Sequence, residues 1–312
     1  MAWFRWFRRN NNNQARRDGK TATTTGPGGE RYEMYGERRH LADAPYVLPS
    51  DDQEINRLDF QHYMLRYALH GNYAAPIQNP HSILDVGTGT GRWAMEMATL
   101  FPNANVVGVD VTPPPADRAD ASLGAGLDIR PENYAFVKGN ILEGLPFENG
   151  SFDFVHQRLL LFAIPENAWP RVVAELVRVT RIGGWIELVE TGPQQHGGPA
   201  MDRIVEWITA TSKRRGVNPL LGPQIGPFLR NARLGSLTTN VISLPVGSYG
   251  GRVGKLAETD VFGVIGGVKP LVVSQGLTTA EIYDDALRAA REDLDRYQCY
   301  LPFYLAYGQR VV

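Results

Sequence analysis

Cysteine is almost missing from this chain. Its 312 residues contain one, Cys299, which rules out an internal disulfide and any cysteine-based metal site and points to a reducing, cytoplasmic setting. Net charge is nearly absent too, at −1 from 32 Lys and Arg against 33 Asp and Glu. No broad positive field is available to hold a polyanion, so nucleic acid is not the expected partner. No run approaches the ~18 consecutive apolar residues of a membrane span. No His, Cys and Asp cluster has metal-ligand spacing, so no metal is expected and a magnesium-assisted mechanism has no support. Internal repeats are lacking as well. An apolar content of 43% is ample for a full core, which implies one large domain or one domain carrying a substantial insertion.

Against these absences stands one dense stretch, Ile83-Leu84-Asp85-Val86-Gly87-Thr88-Gly89-Thr90-Gly91. A short aliphatic run reads as a buried strand, broken at Gly87, with a helical pattern beginning near Arg92. Three alternate glycines permit a tight strand-to-helix turn that brings a ligand against bare main chain. Asp85 falls at the carboxyl end of the strand, where open α/β sheets bind ligands. A dinucleotide fingerprint needs Gly-x-Gly-x-x-Gly. Here the third glycine comes one residue early, and Arg92 stands where the last small residue belongs. An acid just ahead of Gly-x-Gly-x-Gly instead resembles motif I of class I S-adenosylmethionine-dependent methyltransferases, whose loop holds a zwitterionic methionine tail.

The neighbouring segments agree. Val106–Asp110 is a second strand ending in a carboxylate about 20 residues after the turn, a placement that lets Asp110 accept from both ribose hydroxyls. Strands follow at 134–137, 151–155 and 183–190, alternating with helical segments, which gives a parallel doubly wound α/β sheet. In the methyltransferase pattern Asn140 takes the place of an Asp that accepts from the adenine amino group. The cofactor set implied by the resemblance is Asp85, Gly87, Thr88, Gly89, Gly91, Asp110, Val111, Asn140 and Ile141; Gln61 and His62, on the helix before the sheet, either close over the methionine carboxylate or simply pack that helix.

The remainder of the chain narrows the family. Tyr46-Val47-Leu48-Pro49-Ser50-Asp51, Arg57 to His62, Val155-His156-Gln157-Arg158 and the tail Tyr300 to Gln309 resemble the LaeA-like (UMTA-type) branch, over roughly residues 31–311. The resemblance implies a Rossmann-like fold with an antiparallel last strand and a helical cap. Residues 1–30 are expected to be a disordered tail, 31–80 a helical cap segment and 81–192 the cofactor-binding core. Residues 193–275 form a cap insertion with one core strand, and 276–312 the last helix and strand. Ser50 or Asp51 caps a helix with an apolar side of Ile55, Leu58, Phe60, Tyr63, Met64 and Tyr67. Near the start, Trp3, Phe4, Trp6 and Phe7 alternate with Arg5, Arg8 and Arg9. That pattern fits a peripheral membrane or partner foot, but seven residues are too short to hold a helix, and a mobile tail is expected. No continuous apolar core follows these charges, so a secretory signal is not expected.

Methyl transfer from a sulfonium is an in-line displacement, and the protein mainly aligns the acceptor and excludes water. His156, read as lying just past the fourth strand, is the candidate base; the bland alternative is a histidine that fixes the loop. Arg158 either anchors an anionic acceptor or pairs with Glu190, the ion pair being favoured. Of Glu187 and Glu190 at most one faces the site, and Glu190 is preferred. Tyr32 and Tyr35 either lid the pocket or dock an arm. Trp207, Phe262, Ile265 and Val268 point to an apolar acceptor pocket, with core packing as the alternative. The Asn/Asp-Pro-Pro-Tyr/Phe stretch of many amide and base N-methyltransferases is missing, which argues against protein-glutamine and nucleic-acid base substrates. The expected protein is therefore a methyltransferase for a hydrophobic small molecule, using S-adenosylmethionine in secondary metabolism at O, N or C. Two rivals are a regulatory cofactor-binding member of the same branch and a dinucleotide oxidoreductase, the latter disfavoured by the glycine spacing and the lack of Tyr-x-x-x-Lys. Oligomeric state is left open.

Overall fold

The computed structural model describes residues 21–26, 29–115 and 130–312. The aromatic and arginine pattern at 3–9 lies outside the described residues. Seven strands form the central sheet: β4 (Ser82–Val86), β5 (Asn105–Asp110), β6 (Tyr134–Lys138), β7 (Phe152–Arg158), β8 (Thr180–Thr191), β9 (Gly235–Pro245) and β10 (Tyr300–Gln309). Their order across the sheet is β6-β5-β4-β7-β8-β10-β9. The first five are mutually parallel, whereas β10 runs antiparallel to both β8 and β9. This is the expected mostly parallel, doubly wound sheet with its antiparallel last strand. Strand β7 is buried at every position but its last, because helices cover both faces of the sheet.

Helix α2 (Arg92–Leu100) packs Trp93, Ala94 and Met97 against Ile83, Val106 and Phe154 on one face. On the other face α3 (Trp169–Val179) buries Trp169, Val172 and Leu176 against Leu84, Val155 and Ile186. Between β8 and β10 the chain adds α4 (Gly198–Lys213), the short α5 (Ile225–Asn231), β9, α6 (Gly251–Ser274) and α7 (Ala280–Tyr297). Together with α1 (Asp52–Ala68), three of these helices (α4, α6 and α7) build a separate apolar cluster around Ile204, Ile265, Val268 and Tyr283. Among the described residues no helix is long and apolar enough to cross a membrane. Strand order reverses between β4 and β7, so their carboxyl ends diverge into a crevice that the cap roofs.

Two expectations need correction here. The segment assigned to a disordered tail and a purely helical cap contains a three-stranded antiparallel arm, β1 (Thr21–Thr25), β2 (Arg31–Tyr35) and β3 (Arg38–Leu41). Its threonine-rich start suits a strand as well as a linker, since β-branched residues favour extended backbone. Tyr35 and Arg38 pair across a two-residue turn whose first residue, Gly36, has a φ of 60°, a conformation that closes hairpins and suits glycine. Second, the buried face of α1 is not the aliphatic one. Asp51 caps the helix by accepting from the Glu54 amide at 3.0 Å, as expected, but its buried residues are Glu54, Gln61, His62, Met64 and Leu65. Tyr63 and Tyr67 are exposed. The helix lies over a polar site, so the residues it turns inward are those the site needs.

Candidate cofactor and acceptor site

A cavity of about 460 Å³ runs along the carboxyl ends of β6, β5, β4 and β7. That is within the range of ligand pockets, ~300–1,000 Å³. At its centre the chain leaves β4 through Gly87, Gly89 and Gly91, with φ values of 72°, 55° and 78°. A side chain on Gly87 would strike Leu160 at 2.5 Å, so this glycine lets the loop pack on the chain after β7. A Cβ on Gly89 would meet only Leu58 Cδ1, at 3.9 Å, and the Gly87 carbonyl; the space above it is cavity. The Gly89 amide donates to Asp110 Oδ2 at 2.9 Å and the Thr112 amide to Oδ1 at 3.2 Å. Each Asp110 oxygen retains lone pairs for a diol. Asp85 accepts from Thr88 Oγ1 at 2.7 Å, and Asn140 Oδ1 accepts from the Leu142 amide at 3.0 Å. The bare main chain at Gly89 and the half-used Asp110 carboxylate are what an adenosyl sulfonium cofactor requires.

Gln61, His62, Asp85, Gly87, Thr88, Gly89, Asp110, Val111, Asn140, Ile141 and Arg158 all line this cavity. Gly91 does not. It caps α2 in the left-handed conformation, and a Cβ there would come within 3.0 Å of the Tyr134 hydroxyl. Tyr32 and Tyr35 are buried within the arm, Tyr32 under the Arg39 guanidinium, and neither lines the cavity, so they dock the arm.

His156 is not the candidate base. The strand extends two residues beyond it, to Arg158, and this places the ring within the sheet rather than past its end. His156 is 1% exposed, stacks on Trp93 at 3.8 Å with the rings 4° from parallel, and lines neither the main cavity nor the smaller one beside it. Its Nδ1 lies 3.0 Å from Asp85 Oδ1, so a neutral ring donates to the carboxylate from below. Burial pushes its pKa down, against the pull of Asp85. His156→Ala is therefore expected to weaken cofactor binding several-fold through a loosened Asp85, with no change in the pH–rate profile near neutrality. A lost acid limb in that profile would restore the base.

Arg158 and Glu190 do not pair. Arg158 sits opposite Val189 in the ladder, so Glu190 points to the other face. Glu190 is buried, accepts from the Leu160 and Leu161 amides at 2.8 and 3.3 Å, and is pushed up to about 8 by burial. It lines a second, smaller cavity of about 100 Å³ with Val205, Ile208, Val261, Val264, Ile265 and Leu301. Tyr46, Leu58, Gln61 and Leu159 are walls of both cavities. Of the four apolar residues expected around an acceptor only Ile265 is there. Trp207 stacks on Tyr283, Phe262 lies under Arg291, and Val268 is core.

Glu187 faces away from both cavities. One of its oxygens accepts from the Ala74 and Ala75 amides at 2.8 and 2.7 Å, while the other is buried without a partner. Burial raises its pKa to about 7. The native state then binds more protons than the unfolded chain between the two pKa values, so this group costs stability as pH climbs from ~4.3 through 7. Glu187→Gln mimics the protonated form. It is expected to match the parent only near pH 4 and to exceed it by about 3–4 kcal/mol at pH 8.5 in urea unfolding.

A cluster that sequence reasoning missed joins the two cavities. Arg57 holds Glu54 through two hydrogen bonds of 2.9 and 2.6 Å and Asp260 at 2.7 Å, and Gln61 Nε2 donates to Asp260 at 2.9 Å. The signal was present in α1, where Glu54, Arg57 and Gln61 recur at helical spacing on one face.

A methyltransferase-domain family matches residues 83–184, which span β4 through the start of β8. Methyltransferase str2 of Strobilurus tenacellus is 30% identical over 274 residues, covering 83% of this chain and 94% of that protein. N-methyltransferase gliN of Aspergillus fumigatus is 25% identical over 283 residues, 85% of this chain and 96% of the relative. Among solved structures, phosphoethanolamine N-methyltransferase 2 of Haemonchus contortus with S-adenosylhomocysteine aligns over 80% of this chain at 15% identity and a TM-score of 0.48; the chain spans 57% of that protein's length. With near full-length similarity to a methyltransferase, and a glycine turn and acidic strand ends that fit the sulfonium cofactor, the chain belongs to the class I S-adenosylmethionine-dependent methyltransferases.

Proposed function

We propose that this methyltransferase is of the LaeA-like branch and acts on a hydrophobic small molecule in secondary metabolism, in a cytoplasmic setting. One observation carries the reading: the cavity over the strand ends and a smaller, mostly apolar chamber share the walls Tyr46, Leu58, Gln61 and Leu159. Such an arrangement suits a cofactor in the first space and an apolar acceptor in the second, under α4 and α6. Relatives named as N-methyltransferases, gliN among them, support a nitrogen acceptor.

S-adenosylmethionine supplies an electrophilic methyl group on sulfur when bound. The chain's share is alignment and exclusion of water, which is worth up to ~7–11 kcal/mol of barrier. In this reading Asp110 takes the ribose hydroxyls, Asn140 the adenine edge, and the Gly87–Gly89 turn the tail. Glu190, holding its proton near neutrality, keeps the loop of Leu160 and Leu161 at the junction of the two chambers. Titration calorimetry should give micromolar binding of S-adenosylhomocysteine, weakened at least ~10-fold in Asp110→Ala through loss of charge-assisted hydrogen bonds. Tight NAD binding without binding of the sulfur ligand would overturn the reading.

A further inference from the structure

Arg158 differs from the other described cations that line the main cavity, Arg31, Arg92 and Lys138, each of which faces a carboxylate. It lines the main cavity, yet no described carboxylate lies within ion-pair distance of it. Among the described residues its one hydrogen-bond partner is His62 Nδ1, 3.1 Å from Nη2. A guanidinium can only donate, so His62 accepts at Nδ1 and carries its proton on Nε2, which faces Glu96 Oε2 at 3.2 Å. Glu96 is itself held by Arg66 at 2.7 Å and Asn72 at 2.9 Å. Four side chains thus fix one arm of a guanidinium that lines the cavity, and its other N–H groups have no hydrogen-bond partner among the described residues. Asp85, Glu96 and Glu187 favour its charge from a distance, but none pairs with it directly, and a ligand anion in contact would offset the cost of its burial.

The order of strands says which anion. Asn140 follows β6, Asp110 ends β5, Asp85 and Gly87 end β4, and Arg158 ends β7, in that sequence across the sheet. Strands lie about 4.8 Å apart, so Arg158 is about 10 Å beyond Asp110. A ligand with its base toward Asn140 and its ribose on Asp110 lays its third part over β4 and ends at β7. Asp85 and Arg158 are on the same face of adjacent strands, two residues apart in register, and present opposite charges. Each Asp85 oxygen has one protein donor and room for another. Opposed charges at that separation match an α-amino acid zwitterion.

We infer that Arg158, set by His62 and Glu96, anchors the carboxylate of the cofactor's amino-acid tail while Asp85 receives its ammonium group. The inference rests on the methyltransferase reading and deepens it. The rival occupant is an acidic acceptor molecule.

Three ligands separate these cases by calorimetry. They are S-adenosylhomocysteine, its decarboxylated analogue, which keeps the amine, and methylthioadenosine, which lacks the whole tail. Arg158→Met should lose about 10- to 100-fold in affinity for S-adenosylhomocysteine and stay within about two-fold for the other two. Arg158→Lys should recover part of that loss. His62→Ala should show the same ligand pattern more weakly, with His62→Gln, which keeps an acceptor for the guanidinium, nearer the parent. Unchanged affinity of Arg158→Met for S-adenosylhomocysteine overturns the inference and gives Arg158 to the acceptor. An equal loss on all three ligands also overturns it, since that marks a collapsed cavity. Failure of the parent protein to bind any adenosyl ligand would instead refute the underlying reading.

Discussion

Gly89→Val is expected to abolish measurable binding of S-adenosylhomocysteine, a loss of at least ~100-fold, in a protein that still unfolds cooperatively. Gly89 presents main chain to the cavity with almost nothing within 4 Å of where its Cβ would be, so an isopropyl group there fills space meant for ligand. Its φ of 55° also penalises a β-branched side chain, by ~1–2 kcal/mol. That cost is borne by a loop at the sheet's end and leaves the core untouched. Gly87→Val is the control with the opposite balance. There the new side chain drives into Leu160, and the fold should suffer more than the site. Calorimetry together with thermal unfolding of both variants checks the contrast. Normal binding by Gly89→Val would mean that the 87–91 loop is not the cradle.

Arg57→Met is expected to cost about 3–5 kcal/mol of stability at neutral pH, the usual result of removing one partner from a buried ion cluster. Among the described residues Arg57 is the only cation hydrogen-bonded to Glu54 and Asp260, all three being at most 9% exposed at the side chain. Burial already holds both carboxyl pKa values above the ordinary range despite the guanidinium, and its loss pushes them further. A carboxyl whose pKa is raised in the native state favours folding least at high pH. The deficit should therefore shrink as pH falls from 7 toward 5, where the native state takes up protons. Urea unfolding of parent and variant at the two pH values measures this. A deficit independent of pH would assign the effect to lost packing between α1 and α6.

How far the residues alone disclosed this molecule depended on what each had to compete with. Strands β4 and β5 are largely buried, so their sequences are short, mostly apolar runs and read directly. The glycine spacing and Asp110 read just as directly, because backbone conformation and a carboxylate at a strand end leave few alternatives. The inward face of α1 did not, since Glu54, Gln61 and His62 mimic a solvated stripe when only hydropathy is considered. His156 was misplaced because polar residues at 156–158 look like a strand terminus, although the ladder continues through them. Arg158 and Glu190 sounded like partners until the pleat put them on opposite faces. The misses on α1, at His156 and at Glu190 are polar residues turned inward, where burial pattern and function pull against each other.

Strand β10 lies between β8 and β9, pairing Phe303 with Thr191 on one side and with Ile242 on the other. During synthesis the edge of β8 is complete long before its neighbour emerges, and among the described residues β9 pairs with no strand but β10. The nascent chain thus carries an open edge bearing Ile186, Leu188 and Val189 through the whole production of the cap helices. Unpaired apolar edges recruit other chains. Yield in a heterologous host should accordingly be governed by how well that edge is shielded on the ribosome, and a peptide spanning 300–309 supplied in trans is the reagent that would rescue a chain stopped before it.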